Sequence, residues 1–251
     1  MWYKELSFME KNHKLPSSAK RVLRKKFVID KIIDKNVLHV GCTGGLLDEL
    51  SINQYKKEFI KENDTHYKFS KVAKEISGLD ISPDKIEFYK NNNMPGKYYV
   101  SDITDKNFSH ENKYDVIIFT NIIEHLDNVG QALTNLKKML KKNGELIITT
   151  NNAYDIKAFL KMLFYYESVH DEHTAYYSYL TLKRVLKMNG FSISEFNYAE
   201  NESEKIFAYI KKHSIVTYIF YIFGRFFSFI FKQFSQDMAL VAKLDDNNKN
   251  E

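Results

Sequence analysis

Short apolar runs alternate with amphipathic segments along most of this chain. Runs of large apolar residues bounded by glycine or polar residues predict buried strands, and apolar residues three or four positions apart predict helices. The predicted strands are residues 36–40, 78–80, 97–100, 114–120, 145–150, 191–198 and 237–243. Helical patterns separate many of them, which favours a parallel sheet. We therefore expect an α/β fold with a Rossmann-like, doubly wound, mostly parallel sheet of seven strands and helices on both faces.

The remaining segments place helices and insertions around that sheet. Predicted helices cover residues 17–34, 67–76, 129–141, 153–166 and 181–189, and Ser82-Pro83 begins another. We expect a single domain over 1–251, with an N-terminal helical cap at about 1–35. A polar insertion is expected at 51–66, and an aromatic insertion at about 203–235 precedes the last strand.

Composition narrows the class of protein. The chain has 251 residues, of which 44% are hydrophobic and 27% charged, enough for one α/β domain with a full core. Cys42 is the single cysteine, which excludes an internal disulfide. The start carries no long apolar run typical of a secretory signal, so we expect a cytoplasmic protein. The net charge of +5 permits an anionic or membrane partner, but no basic run interleaved with aromatic residues indicates nucleic-acid binding.

A glycine-rich turn follows the first predicted strand, at residues 41–45. Glycine lets the chain reverse tightly and approach a ligand closely, and the helix that follows offers unpaired N–H groups. Asp80 ends the second strand and suits the hydroxyls of a ribose. Asp102 ends the third strand, where it would accept from an adenine amino group while Ile103 packs on the ring. These positions all fall at the carboxyl edge of the sheet, where open α/β folds bind ligands.

These segments resemble successive motifs of the class I S-adenosylmethionine-dependent methyltransferases, in the subgroup whose fourth motif carries Glu-His-Leu. The matching stretches are residues 37–45, 78–82, 101–103, 114–118, 121–126 and 143–150. The resemblance implies S-adenosylmethionine as cofactor. The residues expected to bind it are Gly41, Cys42, Thr43, Gly44, Asp80, Ile81, Asp102, Ile103, Asn121 and Glu124. His39 and Thr43 depart from the family pattern, which has an acidic residue and a glycine at these places.

Candidate groups for chemistry lie beyond the fourth strand. Methyl transfer from an activated sulfonium requires an oriented acceptor and, for a hydroxyl, a base. His125 is the candidate base, with a structural role at the start of the next helix as the alternative. His170 and His173 either line the acceptor site or belong to a solvated polar loop. We expect no metal, because such short clusters bind one only where their geometry converges.

The segment 214–234 is rich in aromatic residues. Arg225 near its middle argues against a span of the bilayer, and the final strand must rejoin the sheet. Two interpretations remain: packing over the domain or in a homodimer, and peripheral attachment to the inner face of a membrane. In the second case the anchoring cations would be Lys211, Lys212, Arg225 and Lys232.

The expected function is O-methylation of a small molecule, a sugar or a lipid-linked intermediate. One alternative is an NAD-dependent Rossmann oxidoreductase, since glycine turns after a strand serve both classes. That enzyme would need a catalytic tyrosine–lysine pair or its equivalent, and we find no convincing one. A second alternative is a non-catalytic, membrane-associated binding module of the same fold.

Overall fold

The computed structural model describes residues 13–44, 59–201 and 215–245, and the side chains of these residues except 215–221. Strands in this part of the chain form one mixed sheet. They are β1 (Arg21–Leu23), β2 (Asn36–Val40), β3 (Glu75–Asp80), β4 (Lys97–Val100), β5 (Tyr114–Thr120), β6 (Leu140–Asn151), β7 (Phe191–Glu200) and β8 (Asp237–Leu244). Their spatial order is β1-β7-β8-β6-β5-β2-β3-β4.

Helices connect the strands. The described ones are α1 (Arg24–Ile32), α2 (Thr65–Ser70), α3 (Pro83–Asn91), α4 (Val129–Met139), α5 (Ile156–Met162), α6 (Tyr179–Met188) and α7 (Ile215–Ile230). Side chains cap several of them: Asp64 accepts from the Tyr67 N–H at α2, and Asn128 accepts from the Gln131 N–H at α4. Pro83 opens α3, where its missing N–H costs nothing.

The direction of the chain changes at the centre of the sheet. From β2 the chain moves outward to β3 and β4, and it then returns to place β5 on the other side of β2. β2 pairs in parallel with both β3 and β5, so the carboxyl ends of these strands share one edge. A crevice forms at such a switch point because the loops after β2 and β5 leave in opposite directions.

Two apolar layers pack on the two faces of the sheet. Alternate residues of β5 divide between them, with Ile117 in one layer and Val116 and Ile118 in the other. The first layer includes Leu133 of α4 and the second includes Phe27 of α1. This arrangement confirms the predicted doubly wound α/β fold with helices on both faces.

The sheet has eight strands in the described chain, where seven were predicted. The additional one is β1, in a segment predicted to be helical from residue 17; the helix begins only at Arg24. Lys20 explains the difference, since its N–H donates to Asn197 Oδ1 at 2.9 Å and its carbonyl accepts from the Tyr198 N–H at 2.9 Å. The open edge of β7 thus captures this segment as a strand. The single-domain organisation stays a prediction.

Other boundaries differ by a few residues. α4 ends at Met139 and β6 begins at Leu140, so the predicted helix stop at Asn143-Gly144 lies inside a strand. α2 is shorter than predicted, and residues 75–79, which include the predicted end of the helix, pair with β2 instead. Residues 45–58 and 202–214 lie outside the described chain; they include Gly45, most of the predicted polar insertion and the start of the aromatic insertion.

Candidate active site

The turn after β2 is built around Gly41. Its φ of +65° lies in the left-handed region, and a Cβ there would be 2.6 Å from Ile122 Cδ1. The Gly41 N–H donates to the Leu79 carbonyl at 2.7 Å, and the Gly44 N–H donates to the Gly41 carbonyl at 3.1 Å. Any larger residue at position 41 would push the turn away from β5. The turn therefore packs directly against the segment that follows β5.

Thr43 joins this turn to the end of β3. Asp80 Oδ2 accepts from the Thr43 N–H at 3.1 Å and from the Thr43 hydroxyl at 2.7 Å, and both residues are buried. Asp80 Oδ1 accepts from the Ser82 N–H at 3.1 Å. The threonine that replaces the family's glycine thus has a partner in the acid that was predicted to bind the ribose. Asp80 Oδ2 thus already accepts two hydrogen bonds, whereas Oδ1 accepts one from Ser82 and has a second lone pair that a ligand hydroxyl would use.

The neighbouring residues divide between surface and core. Ile81 is 67% exposed beside Asp80, an apolar face at the carboxyl edge. Asp102 is exposed, and its Oδ1 accepts from the N–H and the hydroxyl of Thr104, each at 2.7 Å. Ile103 is buried in the first apolar layer. Cys42 is buried, and burial followed by the charge of Asp80 raises the pKa of its thiol, which keeps it protonated.

The end of β5 carries Asn121 and Glu124. Asn121 has a φ of +53°, which asparagine tolerates better than most residues, and its Oδ1 accepts from the Thr149 hydroxyl at 2.8 Å. Glu124 is fully buried, and its Oε2 accepts from the Thr150 hydroxyl at 3.0 Å. Its Oε1 is buried with no hydrogen-bond partner among the described residues. Burial raises the pKa of Glu124 to about 7, so protonated and charged forms are both accessible near neutral pH.

An arginine reaches this edge from the N-terminal segment. Arg24 Nη1 donates to Asn121 Oδ1 at 3.0 Å and to Asp237 Oδ2 at 3.0 Å. Asp237 is fully buried, and burial raises its pKa to about 6 although Arg24 opposes the shift. Sequence reasoning missed both Arg24 and Asp237. The one available signal was an acid at the start of an otherwise apolar last strand.

Three predicted histidines lie together. Nitrogen atoms of His125, His170 and His173, one from each ring, all lie within 4.8 Å of one another. The ring centroids of His125 and His173 are 4.6 Å apart. His125 Nδ1 also lies 3.8 Å from Glu172 Oε2. Burial, then the neighbouring His125 and His170, lower the pKa of His173, which favours its neutral form.

Backbone hydrogen bonds hold the loop of His170 and His173 against the end of β5. The Glu124 carbonyl accepts from the N–H groups of Thr174 and Ala175, at 2.8 and 3.3 Å. The Thr174 hydroxyl donates to the Leu126 carbonyl at 2.8 Å. The loop is therefore attached on both sides of His125, which fixes the three imidazoles near one another.

His39 occupies the position where the family has an acid. It is buried, and its Nδ1 lies 3.2 Å from Nδ1 of the buried His66, with the two rings stacked at a centroid distance of 5.4 Å. His66 Nε2 faces the Pro95 carbonyl oxygen at 3.1 Å, so Nε2 carries the proton. His66 Nδ1 is then the acceptor and His39 Nδ1 the donor. His66 was predicted to end a polar insertion, yet it belongs to the interior.

Helices α5 and α7 pack together and expose many apolar side chains. A Cβ at Gly224 of α7 would lie 2.4 Å from Lys157 Cγ of α5. The exposed apolar residues of these two helices and of the residues directly after each helix are here named the aromatic surface: Phe159, Met162, Leu163, Phe164, Tyr165, Tyr166, Ile222, Phe223, Phe226, Phe229, Ile230 and Phe231. None of the helices in the described ranges combines the length and the apolar character that crossing a bilayer requires.

Two of the predicted anchoring cations, Arg225 and Lys232, make contacts within the chain. Arg225 Nη1 lies 3.4 Å from Glu200 Oε2, whose side chain is buried, and Lys232 Nζ donates to the Ala19 carbonyl. Arg225 therefore turns inward and leaves the exposed side of α7 to apolar residues. Lys211 and Lys212 lie outside the described residues.

A surface cavity lies at the opposite edge of the sheet. Its volume is about 410 Å³, and its lining includes Asn36, Glu75, Lys97 and Tyr114, the first residues of four strands. Ligands of open α/β sheets bind at the carboxyl ends of the strands, which is where the glycine turn, Asp80 and the histidines lie. We therefore place the candidate site at the carboxyl edge.

Comparison with known proteins identifies the family. A family model described as a methyltransferase domain matches residues 11–195. The chain belongs to this methyltransferase domain family. The class I S-adenosylmethionine-dependent methyltransferase assignment made from the motifs is thereby confirmed, and the match favours methyl transfer over the NAD-dependent alternative.

Relatives of known name cover part of this methyltransferase. A ubiquinone biosynthesis O-methyltransferase of Rickettsia bellii is 31% identical over 138 residues, which are 52% of this chain and 50% of that protein. The corresponding protein of Rickettsia akari is 29% identical over 143 residues, 52% of this chain and 49% of that protein. The chain thus spans about half the length of these curated relatives.

Solved structures share the fold at low sequence identity. A chain in the complex of the Haloferax volcanii Trm112 methyltransferase activator with a methyltransferase superposes with a TM-score of 0.61 at 12% identity, covering 88% of both chains. Magnesium protoporphyrin IX methyltransferase of Synechocystis, with bound S-adenosylhomocysteine, gives 0.54 at 12% identity, covering 88% of this chain and 82% of that one. These likenesses confirm the Rossmann-like methyltransferase fold.

Proposed function

We propose that this methyltransferase transfers the methyl group of S-adenosylmethionine to an oxygen atom of a small-molecule acceptor. The observation that carries the proposal is the meeting of the β2 turn, Asp80 and the end of β5 at one edge of the sheet, with histidines beside it. The relatives named O-methyltransferases support oxygen as the methylated atom.

Ten residues around the switch point form the proposed cofactor site. Asp80 Oδ1 retains a lone pair for a ribose hydroxyl, and the exposed Ile81 offers an apolar face to the adenine. Glycine at position 41 lets the turn pack against Ile122 after β5, which holds the main chain of the turn at the switch point. The full proposed set is Gly41, Cys42, Thr43, Gly44, Asp80, Ile81, Asp102, Ile103, Asn121 and Glu124.

The acceptor side of the site belongs to His125, His170 and His173. The bound cofactor supplies an electrophilic sulfonium methyl group, so the protein must orient the acceptor oxygen and assist the loss of its proton. His125 is partly exposed and lies directly after β5, next to the proposed cofactor residues. In this proposal the three rings line the acceptor side of the site.

Calorimetry tests the cofactor assignment. The purified full chain should bind S-adenosylmethionine and S-adenosylhomocysteine but not NAD. Ile81→Ala should weaken both by about three- to tenfold, because an apolar contact of this size is worth about 1 kcal/mol. Ile33→Ala, another exposed isoleucine, is the matched control and should leave binding unchanged. Tight NAD binding without binding of the sulfonium compound would overturn the proposal.

We further propose that the acceptor is lipid-linked and that the aromatic surface rests on a bilayer. An apolar surface made by two packed helices marks a partner or a membrane, and aromatic side chains suit the interface region. Phe226 and Phe229 are 61% and 72% exposed. A membrane contact through the aromatic surface would bring this methyltransferase close to an acceptor that is held in the membrane.

Vesicle flotation separates the membrane interpretation from the homodimer. The chain should float with vesicles that contain anionic lipid, and a Phe226→Glu/Phe229→Glu double variant should not. Met188→Glu, which changes a residue 68% exposed on α6, is the control and should float normally. If the chain does not float but sediments as a dimer, and the double variant sediments as a monomer, a homodimer through the aromatic surface replaces the membrane proposal. Cofactor binding without methylation of any phenolic, sugar or lipid-linked hydroxyl would favour the non-catalytic module.

A further inference from the structure

We propose that His125, His170 and His173 bind one divalent transition-metal ion of the zinc type. The three rings bring nitrogen atoms within 4.8 Å of one another, and such convergence is the condition for a short cluster to bind a metal. Nitrogen ligands of one tetrahedral zinc ion lie about 3.4 Å apart, since each is about 2.1 Å from the metal. Rotation of the imidazole side chains on binding the ion would close that difference.

The backbone around the cluster prepares this geometry. The His173 N–H donates to the His170 carbonyl at 2.9 Å, a tight turn that carries two imidazoles three residues apart. The Thr174 N–H then donates to the Glu124 carbonyl, one residue before His125. The main chain therefore fixes all three attachment points, and only the side-chain torsions remain to be set by a ligand.

One imidazole nitrogen gives evidence for a ligand that is independent of the convergence of the rings. His173 Nδ1 is buried and has no hydrogen-bond partner among the residues that the structure describes. A buried polar atom without a partner costs about 1–3 kcal/mol, and native proteins leave few of them. A metal ion coordinated by this nitrogen, or by the same ring after rotation, would remove that cost.

The donor set selects the class of metal. Three imidazoles favour Zn²⁺, Co²⁺, Ni²⁺ or Cu²⁺, whereas Mg²⁺ and Ca²⁺ require mainly oxygen ligands. The Glu172 carboxylate, 3.8 Å from His125 Nδ1, is close enough to orient this ring or to become a fourth ligand. We therefore exclude a magnesium-type site and expect the softer divalent ions, such as Zn²⁺ and Co²⁺, to bind more tightly than Mg²⁺ or Ca²⁺.

The exposure of the cluster indicates how such a metal would act. His125 is partly exposed and His170 is exposed, so the metal would keep a coordination position open to solvent or substrate. This step rests on the proposed O-methylation. An acceptor hydroxyl bound at the open position would lose its proton to solvent more readily. Its oxygen would then bond to the methyl carbon as the carbon–sulfur bond breaks, leaving the electron pair on sulfur.

Metal titration of the untagged, chelator-treated full chain tests the site. Co²⁺ should bind with a stoichiometry of one and give the visible absorption of a tetrahedral nitrogen-ligated ion, and Zn²⁺ should displace it. His170→Ala and His173→Ala should each weaken Co²⁺ binding at least tenfold. His13→Ala, which removes another exposed histidine, is the control and should bind as the unmodified chain does.

The outcomes separate this inference from the proposed function. His170 is exposed, so its replacement should leave thermal unfolding unchanged and the binding result interpretable. Absence of saturable Co²⁺ and Zn²⁺ binding, or equal binding by the His170→Ala and His173→Ala variants, would overturn the metal site. Calorimetry with S-adenosylmethionine in the same metal-free protein reports on the methyltransferase proposal alone, because the cofactor residues do not include these two histidines.

Discussion

The His39–His66 pair and the His125–His170–His173 cluster use one side chain in opposite environments. In the pair, both rings are buried, and the ring nitrogens face each other and the Pro95 carbonyl. In the cluster, the rings are partly exposed, and His173 keeps a buried nitrogen without a partner among the described residues. The hydrogen bonds of the His39–His66 pair stabilise the fold, whereas the convergent rings and the unpartnered Nδ1 of His173 make the cluster available to a ligand.

The largest effect should follow from loss of His125. His125→Ala should lower turnover by about 10²- to 10⁴-fold, the usual contribution of a group that assists proton transfer. Affinity for S-adenosylmethionine should stay within about twofold, because the expected loss is confined to the acceptor side. Steady-state kinetics together with calorimetry check both values. Unchanged turnover would remove His125 from the chemistry and weaken the distinction between the two histidine groups.

His66→Ala should mainly affect stability. The substitution removes a fully buried ring and leaves the His39 N–H and the Pro95 carbonyl without their partner, at a cost of about 3 kcal/mol in the free energy of unfolding. Denaturant unfolding measures this loss, with His13→Ala as the exposed control. A cost below about 0.5 kcal/mol would mean that the pair contributes no more than a surface histidine does.

Stability should also depend on pH through the buried pair. Burial lowers the pKa of His66 to about 4, below the reference value of 6.5, so the unfolded chain binds its proton first. This contribution is complete above pH 6.5 and is lost as the pH falls towards 4, by on the order of 3 kcal/mol.

Glu124 makes the free energy of unfolding depend on pH in the opposite direction. Burial raises its pKa from 4.5 to about 7, so its contribution is complete below pH 4.5 and is lost as the pH rises through 7. Between pH 7.5 and pH 4, the free energy of unfolding of a Glu124→Gln variant should therefore fall more steeply with decreasing pH than that of the unmodified chain, because the variant lacks the opposing contribution. If the free energy of unfolding of the variant depended less on pH than that of the unmodified chain, the loss of stability at acid pH could not be assigned to the histidines.

The smallest change should come from His39→Asp, which restores an acid at this place. A carboxylate beside His66 would favour the charged imidazole, so the pKa of His66 should rise towards or above 6.5. The direction is the informative quantity, and NMR titration of the His66 ring measures it. A pKa still near 4 would mean that burial, rather than the neighbouring ring, sets the protonation of this position.

Sequence reasoning predicted the elements that local pattern controls. Gly41 and Asn121 directly follow apolar strands and Asp80 ends one, and because these strands are parallel, all three residues lie at one edge of the sheet. The Arg24–Asp237 contact could not be predicted, because 213 residues separate its partners and no local pattern links them. His66 was misplaced for a related reason: polar neighbours suggested an exposed insertion, whereas tertiary packing brought the ring against His39.

The fold brings together residues of the proposed cofactor site, and it also brings together the three histidines proposed for the acceptor side. The fold places the glycine turn beside Asp80, and it brings His125, His170 and His173 together although 45 residues separate His125 from His170. Which of these side chains contacts a ligand stays a prediction. The departures at His39 and Thr43 proved informative, because each has a partner inside the fold that the family's usual residue would not bind in the same way.

The position of β8 has a consequence for how the protein is made. This strand lies between β6 and β7 and pairs with both, although it follows them in the chain. During synthesis, β1 and β7 therefore remain separated from β6 until residues 237–244 leave the ribosome. Completion of the sheet must await these late residues, and nascent chains that stop before them should be held by chaperones rather than released as folded enzyme.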